Sequence, residues 1–213
     1  MYNKINAMPT ISYAITANDE HGELDRLLKV LTNHIRPEDE IVIQLDKTAT
    51  AEVRSVCFDF RRPNLRVVEF ALNKDFASFK NNLSQECLKH YIFQIDADEY
   101  PHAQLLELLP TIFSQNENVD VFLVPRINTV EGITQAHIDT WRWQVSDKGW
   151  VNFPDYQWRM WKNKKRIHWI NKVHERLDGF GQFAFLPPEE EYCLFHPKDI
   201  EKQERQNSLY NSI

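Results

Sequence analysis

The alternation of strand-forming runs with amphipathic helical stripes is the feature that most constrains this chain. Short runs of β-forming apolar residues occur at residues 11–16, 41–45, 66–70, 91–95 and 119–124. Between them, apolar residues recur at helical spacing, in stripes that begin at Leu24, Val53, Phe76 and Leu105. Repeated strand and helix units of this length predict an α/β fold with a mostly parallel central sheet and helices on both faces.

The fourth strand-like run ends in three acidic residues, Asp96, Asp98 and Glu99. Side chains two residues apart on a strand point to the same face, so Asp96 and Asp98 are expected to project together. Open α/β sheets bind their ligands at the carboxyl ends of the strands. Two close carboxylates repel each other unless a cation lies between them, and a divalent ion with phosphate oxygens meets that need. The plain alternative is that these acids face water or cap the next helix, which Pro101 would open.

Composition and charge limit the class of protein. The chain of 213 residues is 42% hydrophobic and 26% charged, which is typical of a soluble globular protein, and its net charge of −6 disfavours binding to duplex nucleic acid. The N-terminus does not read as a signal peptide, and no apolar run is long enough for a transmembrane segment. Three scattered cysteines, Cys57, Cys87 and Cys193, fit neither a zinc site nor a disulfide framework. We therefore expect a cytoplasmic protein, or one held peripherally at the inner membrane face.

The pattern changes after about residue 125, where helical stripes vanish and aromatic residues accumulate. Tryptophans occur at positions 141, 143, 150, 158, 161 and 169. Residues 156–161 alternate with period two and predict a strand, with which residues 166–171 are expected to pair. This half predicts irregular and antiparallel structure added to the same sheet, followed by a polar tail at 198–213 that forms a surface helix. No linker divides the chain, so we predict a single domain over residues 1–213.

Several short motifs follow one another in a fixed order. They are Thr16-Ala17-Asn18-Asp19-Glu20, Asp39-Glu40-Ile41-Val42-Ile43-Gln44-Leu45-Asp46, Lys80-Asn81, Ile95-Asp96-Ala97-Asp98-Glu99, Trp158-Arg159-Met160-Trp161, Val173-His174-Glu175, His196-Pro197-Lys198 and Arg205-Gln206-Asn207. This series resembles the GT-A glycosyltransferases of family 2, and within them the bacterial lipopolysaccharide core glucosyltransferases. The likeness spans nearly the whole chain. The turn after Asp46 departs from the family pattern, since it lacks a second acid.

The resemblance implies a GT-A fold and a metal-dependent, inverting glycosyltransferase. The enzyme would move a sugar from a nucleotide-diphosphate sugar, expected to be a UDP-sugar, to an acceptor hydroxyl of a surface glycan. It implies a nucleotide-binding half at residues 1–125 and an acceptor-side half with the C-terminal tail at 126–213. The oligomeric state is left open.

The resemblance also assigns roles to individual residues. It implies Mg²⁺ or Mn²⁺ held by Asp98, with Asp96 shared between the metal shell and the ribose, and with His196 completing the metal or diphosphate contact. The nucleotide-sugar donor would be bound by Thr16, Asn18, Glu20, Asp46, Lys80, Asn81, Asp96 and Lys198. The plainer interpretation of Asp46 is a strand-end turn residue, that of Glu20, Lys80 and Lys198 is a solvated helix residue, and that of His196 is a surface or core histidine.

Inverting transfer needs a base that takes the proton of the acceptor hydroxyl. The resemblance favours Glu175 for this role, whereas His174 competes because its ordinary pKa suits proton transfer near neutral pH. Most of the tryptophans are expected in the core, but Trp141 or Trp143 could stack on a sugar ring.

Three other functions compete with that of a glycosyltransferase. A nucleotidyltransferase would need a glycine-rich phosphate loop after the first strand, where the sequence has only Gly22 among five glycines. A phosphatase with an aspartyl nucleophile would carry its acidic pair on the first strand, not the fourth. A non-catalytic nucleotide- or sugar-binding module of the same fold remains the alternative.

Overall fold

The computed structural model describes residues 8–204, which form a nine-stranded mixed sheet, a separate two-stranded sheet and helices on both faces. The strands are β1 (Ile11–Ala17), β2 (Glu40–Asp46), β3 (Leu65–Phe70), β4 (Tyr91–Asp96), β5 (Tyr100–Pro101), β6 (Val121–Glu131), β7 (Val151–Lys162), β8 (His168–Ile170), β9 (Arg176–Asp178), β10 (Phe183–Phe185) and β11 (Leu194–Asp199). The helices are α1 (His21–His34), α2 (Ala51–Asp59), α3 (Phe76–Glu86), α4 (Ala103–Gln115) and α5 (Gln135–Trp141), with a short 3-10 turn at Glu190–Tyr192. Each strand and helix predicted before residue 125 is present.

The main sheet is ordered β3-β2-β1-β4-β7-β6-β11-β5, and β10 also pairs with β6. Strands β3, β2, β1 and β4 are parallel, whereas β7 is antiparallel to both of its neighbours. Strands β10 and β11 run parallel to β6, and β5 closes the far edge antiparallel to β11. The predicted α/β class, with a mostly parallel sheet and an added antiparallel part, is confirmed.

The two faces of the sheet bury different helices, as alternating side chains require. Ile11, Tyr13 and Ile15 of β1 pack in the cluster that holds α1, α2 and α4, whereas Ala14 joins α3, Trp161 and Trp169 on the other face. The predicted leucine stripe of α1 is fully buried. Burying each such leucine contributes about 1.5–3 kcal/mol, so this stripe fixes the helix on the sheet. Thr50 caps α2, since its side chain accepts a hydrogen bond from the Val53 amide at the start of the helix.

Two predictions for the half after residue 125 were wrong, one about helical structure and one about strand pairing. Helical structure does not vanish there, because Thr134 and His137 form a capping box that starts α5. Residues 166–171 do not pair with β7; instead β8 pairs with β9 in the separate two-stranded sheet. The tail is strand at 198–199 and helical at 200–204, and the remainder of the predicted surface helix lies outside the described residues. Strand β6 runs unbroken through residues 125 and 126, where the two predicted halves meet.

Within residues 8–204, no helix combines the length and the apolar character that a membrane crossing requires.

Candidate functional site

The carboxyl ends of the parallel strands form the edge at which the predicted site residues meet. Thr16 near the end of β1 lies opposite Gln44 of β2 on one side and opposite Asp96 of β4 on the other. Asp46 is the last residue of β2. Because the strands are parallel, Thr16, Asp46 and Asp96 are brought to one edge of the sheet, as the sequence predicted.

Asp96 is held by the protein through both carboxylate oxygens. Thr16 Oγ1 donates to Asp96 Oδ1 at 3.1 Å, and Arg159 Nη2 donates to Asp96 Oδ2 at 2.6 Å. Burial raises the pKa of Asp96, but the charges of Arg159 and Lys80 outweigh burial and hold the pKa well below its ordinary range. Asp96 is therefore a fixed carboxylate at neutral pH.

Asp98 lies in the turn after β4 and not on the strand itself, so the expected projection of two side chains from one strand face is replaced by a turn geometry. His196 Nε2 lies 3.3 Å from Asp98 Oδ2, and Lys202 Nζ lies 3.4 Å from the same oxygen. Burial raises the pKa of Asp98, but the contact with His196 outweighs it and lowers the pKa overall. These acids do not cap α4, because His102 accepts the hydrogen bond of the Gln104 amide there.

His196 comes from β11, 98 residues beyond Asp98, and its second ring nitrogen is fixed by an amide. Asn128 Nδ2 donates to Asp155 Oδ2 at 2.9 Å, which turns the amide oxygen of Asn128 towards His196. His196 Nδ1 lies 2.8 Å from that oxygen and therefore donates to it. With Nδ1 engaged by Asn128, Nε2 is the ring nitrogen left on the side of Asp98, where its lone pair would be available to a cation.

A buried ion-pair network lies beneath the acidic turn, and the sequence motifs assigned it no role. Glu99 is 1% exposed and binds both Arg126, at 2.8 Å, and Arg159, at 2.6 Å. Arg126 also binds Asp155 at 2.6 Å. Arg159 lies at an irregularity in the pairing of β6 with β7. A β-bulge at such a position can redirect a side chain, here towards Glu99 and Asp96. The network fixes the turn that carries Asp98, and its only sequence signals were the third acid and the Trp-Arg-Met-Trp motif.

The loops after β1 and β2 are joined to each other. Glu20 Oε2 accepts hydrogen bonds from the amides of Asn18 and Asp19, at 2.8 and 3.1 Å, and the Thr50 amide donates to the Asn18 carbonyl at 2.9 Å. Burial raises the pKa of Glu20, and Asp19 and Asp98 raise it further. Asp46 accepts hydrogen bonds from Thr48 and, at 2.6 Å, from the Leu72 amide. Burial raises the pKa of Asp46, but these hydrogen bonds lower it overall.

Lys80 and Glu175 form an ion pair that connects α3 with the turn between β8 and β9. Lys80 is 7% exposed and lies 4.8 Å from the centre of the Trp169 ring. Asn81 uses both ends of its amide on the backbone of Trp169, donating to its carbonyl and accepting from its N–H at 2.8 Å each. His174 has a left-handed backbone conformation, with φ 54°, and is exposed.

Lys198 follows His196 by two residues on β11, and both line a cavity of about 200 Å³. Trp143 lies in the wall of this cavity. Burial lowers the pKa of Lys198, and the charges of Arg126 and Lys202 lower it further against the opposing effect of Asp98. The motif Arg205-Gln206-Asn207 lies outside the described residues.

A divalent ion fits the donor atoms of Asp98 and His196. One carboxylate oxygen and one imidazole nitrogen with a fixed tautomer are suitable ligands for Mn²⁺ or, with more oxygen ligands, Mg²⁺. No group of three or more His, Cys, Asp or Glu side chains converges as a metal site among residues 8–204. Few protein ligands are typical of ions that are bound together with substrate phosphates.

Comparison with known proteins identifies the family. The sequence pattern described as glycosyl transferase family 2 matches residues 12–184, well over half of the chain. The chain belongs to glycosyl transferase family 2. No curated protein sequence matches the chain.

Solved structures similar to the chain include those of TarS from S. aureus. TarS 1–349 in complex with UDP has a TM-score of 0.64 at 14% identity, over 88% of this chain and 60% of that chain. The complex with UDP-GlcNAc has a TM-score of 0.63 at 15% identity, over 90% and 59%. A further TarS structure has a TM-score of 0.60 at 14% identity, over 86% and 36%. The chain thus spans no more than 60% of these relatives, and the GT-A fold implied by the sequence is confirmed.

Proposed function

We propose that the chain is a metal-dependent, inverting glycosyltransferase that moves a sugar from a UDP-sugar to a hydroxyl of a glycan acceptor. The observation that carries the proposal is the contact of Asp98 with His196 at the carboxyl edge of the parallel strands. Ligands bind at this edge in open α/β sheets. The TarS complexes with UDP and UDP-GlcNAc, which share the fold, support UDP as the nucleotide.

Asp98 and His196 are the proposed ligands of Mg²⁺ or Mn²⁺. When bound, the ion would neutralise the negative charge that develops on the departing diphosphate. Asp96 is proposed to serve the ribose and the outer shell of the ion, because both of its oxygens are already engaged by Thr16 and Arg159.

The remaining predicted donor residues divide into two groups. Lys80 interacts electrostatically with Asp96 and Lys198 with Asp98, and both lysines are proposed to contact the diphosphate. Thr16, Asn18, Glu20 and Asp46 shape the two loops that would surround the nucleoside. Asn81 is proposed to act indirectly, since its amide holds Trp169 and thereby the turn that carries Glu175.

Glu175 is the proposed base that takes the proton of the acceptor hydroxyl. In the structure its carboxylate is paired with Lys80 and is therefore not free to contact an acceptor hydroxyl. A donor diphosphate that draws the charge of Lys80 to itself would free Glu175 to accept a proton. Donor binding would thus precede activation of the acceptor.

We propose a nucleotide-binding half at 1–125, which supplies Thr16, Asp46, Lys80 and Asp98, and an acceptor-side half at 126–213, whose His196 and Lys198 also reach the donor. Lipopolysaccharide core or another surface glycan is the proposed acceptor class. A cytoplasmic position, soluble or at the inner membrane face, agrees with the three buried free thiols of Cys57, Cys87 and Cys193.

The test is a screen of nucleotide sugars for turnover. UDP-, GDP-, TDP- and CMP-sugars are incubated with the protein and Mg²⁺ or Mn²⁺, and nucleotide release is measured with Asp98→Asn as the control. We expect release from a UDP-sugar that depends on the ion and is lost in the variant. Binding of a donor without release, with or without glycan acceptors, would instead support a non-catalytic binding module.

A further inference from the structure

The cavity beside His196 is lined by residues of the half of the molecule that follows residue 125. Its volume is about 200 Å³, several times the ~30 Å³ that one water molecule occupies in the liquid. Residues 126 and 128–130 of β6 line one side, Trp143 and residues 151–152 line another, and His196, Lys198 and Gln203 line the third. The cavity therefore has room for a small ligand group and begins at a proposed ligand of the ion.

The segment 131–150 supplies Trp143 to the cavity, and this segment is unusual in its burial. None of its residues is fully buried, although Trp141, Trp143 and Trp150 all lie within it. Such aromatic side chains normally bury most of their surface in a core or an interface. A segment that holds three partly exposed tryptophans is therefore typical of a binding surface.

The position of Trp143 is fixed by its neighbours. His137 stacks on Trp141 with ring centres 5.1 Å apart, and the Trp141 and Trp143 rings lie 4.6 Å apart. The Trp143 amide donates to the Ile138 carbonyl at 3.1 Å, and Asn152 holds both backbone groups of the adjacent Gln144. The ring is thus presented to the cavity by a stack of rings and hydrogen bonds, which limits the entropy lost when a ligand packs on it.

The chemistry of the lining suits a saccharide. A pyranose ring has an apolar face of C–H groups and a rim of hydroxyls, so it needs an aromatic surface beside donors and acceptors. Trp143 provides the surface, and Thr129 and Asn152 provide polar groups on either side of the cavity. We propose that this cavity binds the acceptor sugar, with its ring stacked on Trp143 and its reacting hydroxyl turned towards the donor. This inference rests on the proposed function, because it takes His196 and Lys198 as the donor side of the cavity.

The competing occupant is the donor itself, whose diphosphate could extend past Lys198 into the same space. The two possible occupants predict different effects on binding when the Trp143 ring is removed. If the cavity holds the acceptor, removing the ring weakens glycoside binding and leaves the affinity for UDP unchanged. If it holds the donor, the affinity for UDP falls instead.

Saturation-transfer NMR tests the inference with methyl α- and β-pyranosides of glucose, galactose, mannose and N-acetylglucosamine as probes, in the presence of UDP and Mg²⁺. The variants are Trp143→Ala, Trp143→Phe and the matched control Trp150→Ala, whose ring packs on Phe153 away from the cavity. Calorimetry measures the affinity of each variant for UDP and Mg²⁺. The Trp143→Phe variant keeps an aromatic ring, so it distinguishes loss of the stacking surface from loss of local structure.

We expect at least one glycoside to bind the wild type, about tenfold more weakly to Trp143→Ala, and with a smaller loss to Trp143→Phe. Trp150→Ala should bind it as the wild type does, and all four proteins should bind UDP equally. Absence of glycoside binding in the wild type, unchanged binding in Trp143→Ala, or weakened UDP affinity in that variant would each overturn the inference. Failure of the wild type to bind UDP with Mg²⁺ would count against the proposed function itself.

Discussion

At the scale of single residues, the tautomer of His196 links the network around it to the chemistry proposed at Asp98. Asn128 is held by Asp155, and its amide oxygen accepts the Nδ1 proton of His196. Groups that orient a metal-binding histidine through its other nitrogen change metal affinity by about 10–100-fold when they are removed. Asn128 therefore has a measurable role although it contacts neither Asp98 nor the proposed ion.

Replacing Asn128 with Leu should weaken Mn²⁺ binding about tenfold or more in the presence of UDP, because His196 can then adopt the wrong tautomer. Titration of Mn²⁺ followed by electron paramagnetic resonance measures this affinity directly. Asn118→Leu is the control, since this exposed amide pairs with Gln182 at the opposite end of β6. Equal Mn²⁺ affinity in the wild type and in Asn128→Leu would remove Asn128 from the site.

Glu175→Gln should lower transfer by about two to four orders of magnitude, because the amide cannot take the acceptor proton. The substitution removes the charge that competes with the diphosphate for Lys80, so UDP affinity should not fall below that of the wild type. Turnover with saturating donor and acceptor is the measurement, and His174→Gln is the matched control on the adjacent residue. Full activity in Glu175→Gln together with loss of activity in His174→Gln would exchange the two roles.

At the scale of elements, the β8–β9 pair carries the proposed base but belongs to a sheet of its own. Its attachment to α3 consists of the two hydrogen bonds between Asn81 and the Trp169 backbone, the Lys80–Glu175 ion pair, and the Phe76 amide bound to the Lys172 carbonyl at 3.0 Å. Trp169 also packs against Trp161 of β7 with ring centres 5.6 Å apart. The position of Glu175 therefore depends on α3 more than on the main sheet.

Asn81→Ala should loosen this pair of strands. Loss of two hydrogen bonds to buried backbone groups costs about 1–3 kcal/mol each when the groups are left unsatisfied. Hydrogen exchange should become faster at residues 168–178, and turnover should fall while UDP affinity changes by less than about twofold. Asn82→Ala is the control, because its amide binds Gln44 of β2 and not Trp169. Unchanged exchange at Trp169 in Asn81→Ala would contradict this attachment.

At the scale of the whole molecule, buried and half-buried carboxylates make stability depend on pH. The pKa is lowered below its ordinary value for Asp46, Asp96, Asp98, Asp120 and Asp155. For Asp120, burial raises the pKa, but the Gly181 amide and the cations Lys162 and Lys164 lower it well below the usual range. At acid pH the unfolded chain takes up protons more readily than the folded chain does, so stability is lost as the pH falls.

The melting temperature should change little between neutral pH and about pH 5 and fall steeply below about pH 4, where unfolded carboxylates are protonated. Asp120→Asn should have a lower melting temperature than the wild type at neutral pH. Its melting temperature should also fall less on acidification, because one carboxylate with a lowered pKa is gone. Thermal unfolding monitored by circular dichroism gives both quantities, with the exposed Asp139→Asn as control. If the melting temperatures of the wild type and Asp120→Asn changed with pH in parallel, Asp120 would not contribute to the pH dependence of stability.

The parts of the molecule that could be predicted are those set by local periodicity. Strands β1 to β4 and helices α1 to α4 follow from alternation and helical stripes within short windows. The acidic residues were placed correctly at the end of β4, but Asp98 lies in a turn and not on the strand. The capping of α5 by Thr134 and His137 was local too, but it stands in a segment with no buried stripe and was missed.

What could not be predicted depends on contacts between distant residues. Asn128 contacts Asp155, which is 27 residues away in the sequence, and Arg159 contacts Asp96, which is 63 residues away. The pairing of β8 with β9 was missed because short strands with few alternating residues specify their partner weakly. The family resemblance pointed to Glu175 and His196, and only the structure showed that Lys80 and Asn128 are their partners.

The most direct test of the central claim is calorimetric titration of UDP into the protein with Mg²⁺ or Mn²⁺ and again in EDTA. The account predicts that UDP binds only when a divalent ion is present, and that Asp98→Asn loses most of this binding while it keeps the fold of the wild type. Equally tight UDP binding in EDTA, unchanged in Asp98→Asn, would contradict a metal-dependent donor site at Asp98 and His196.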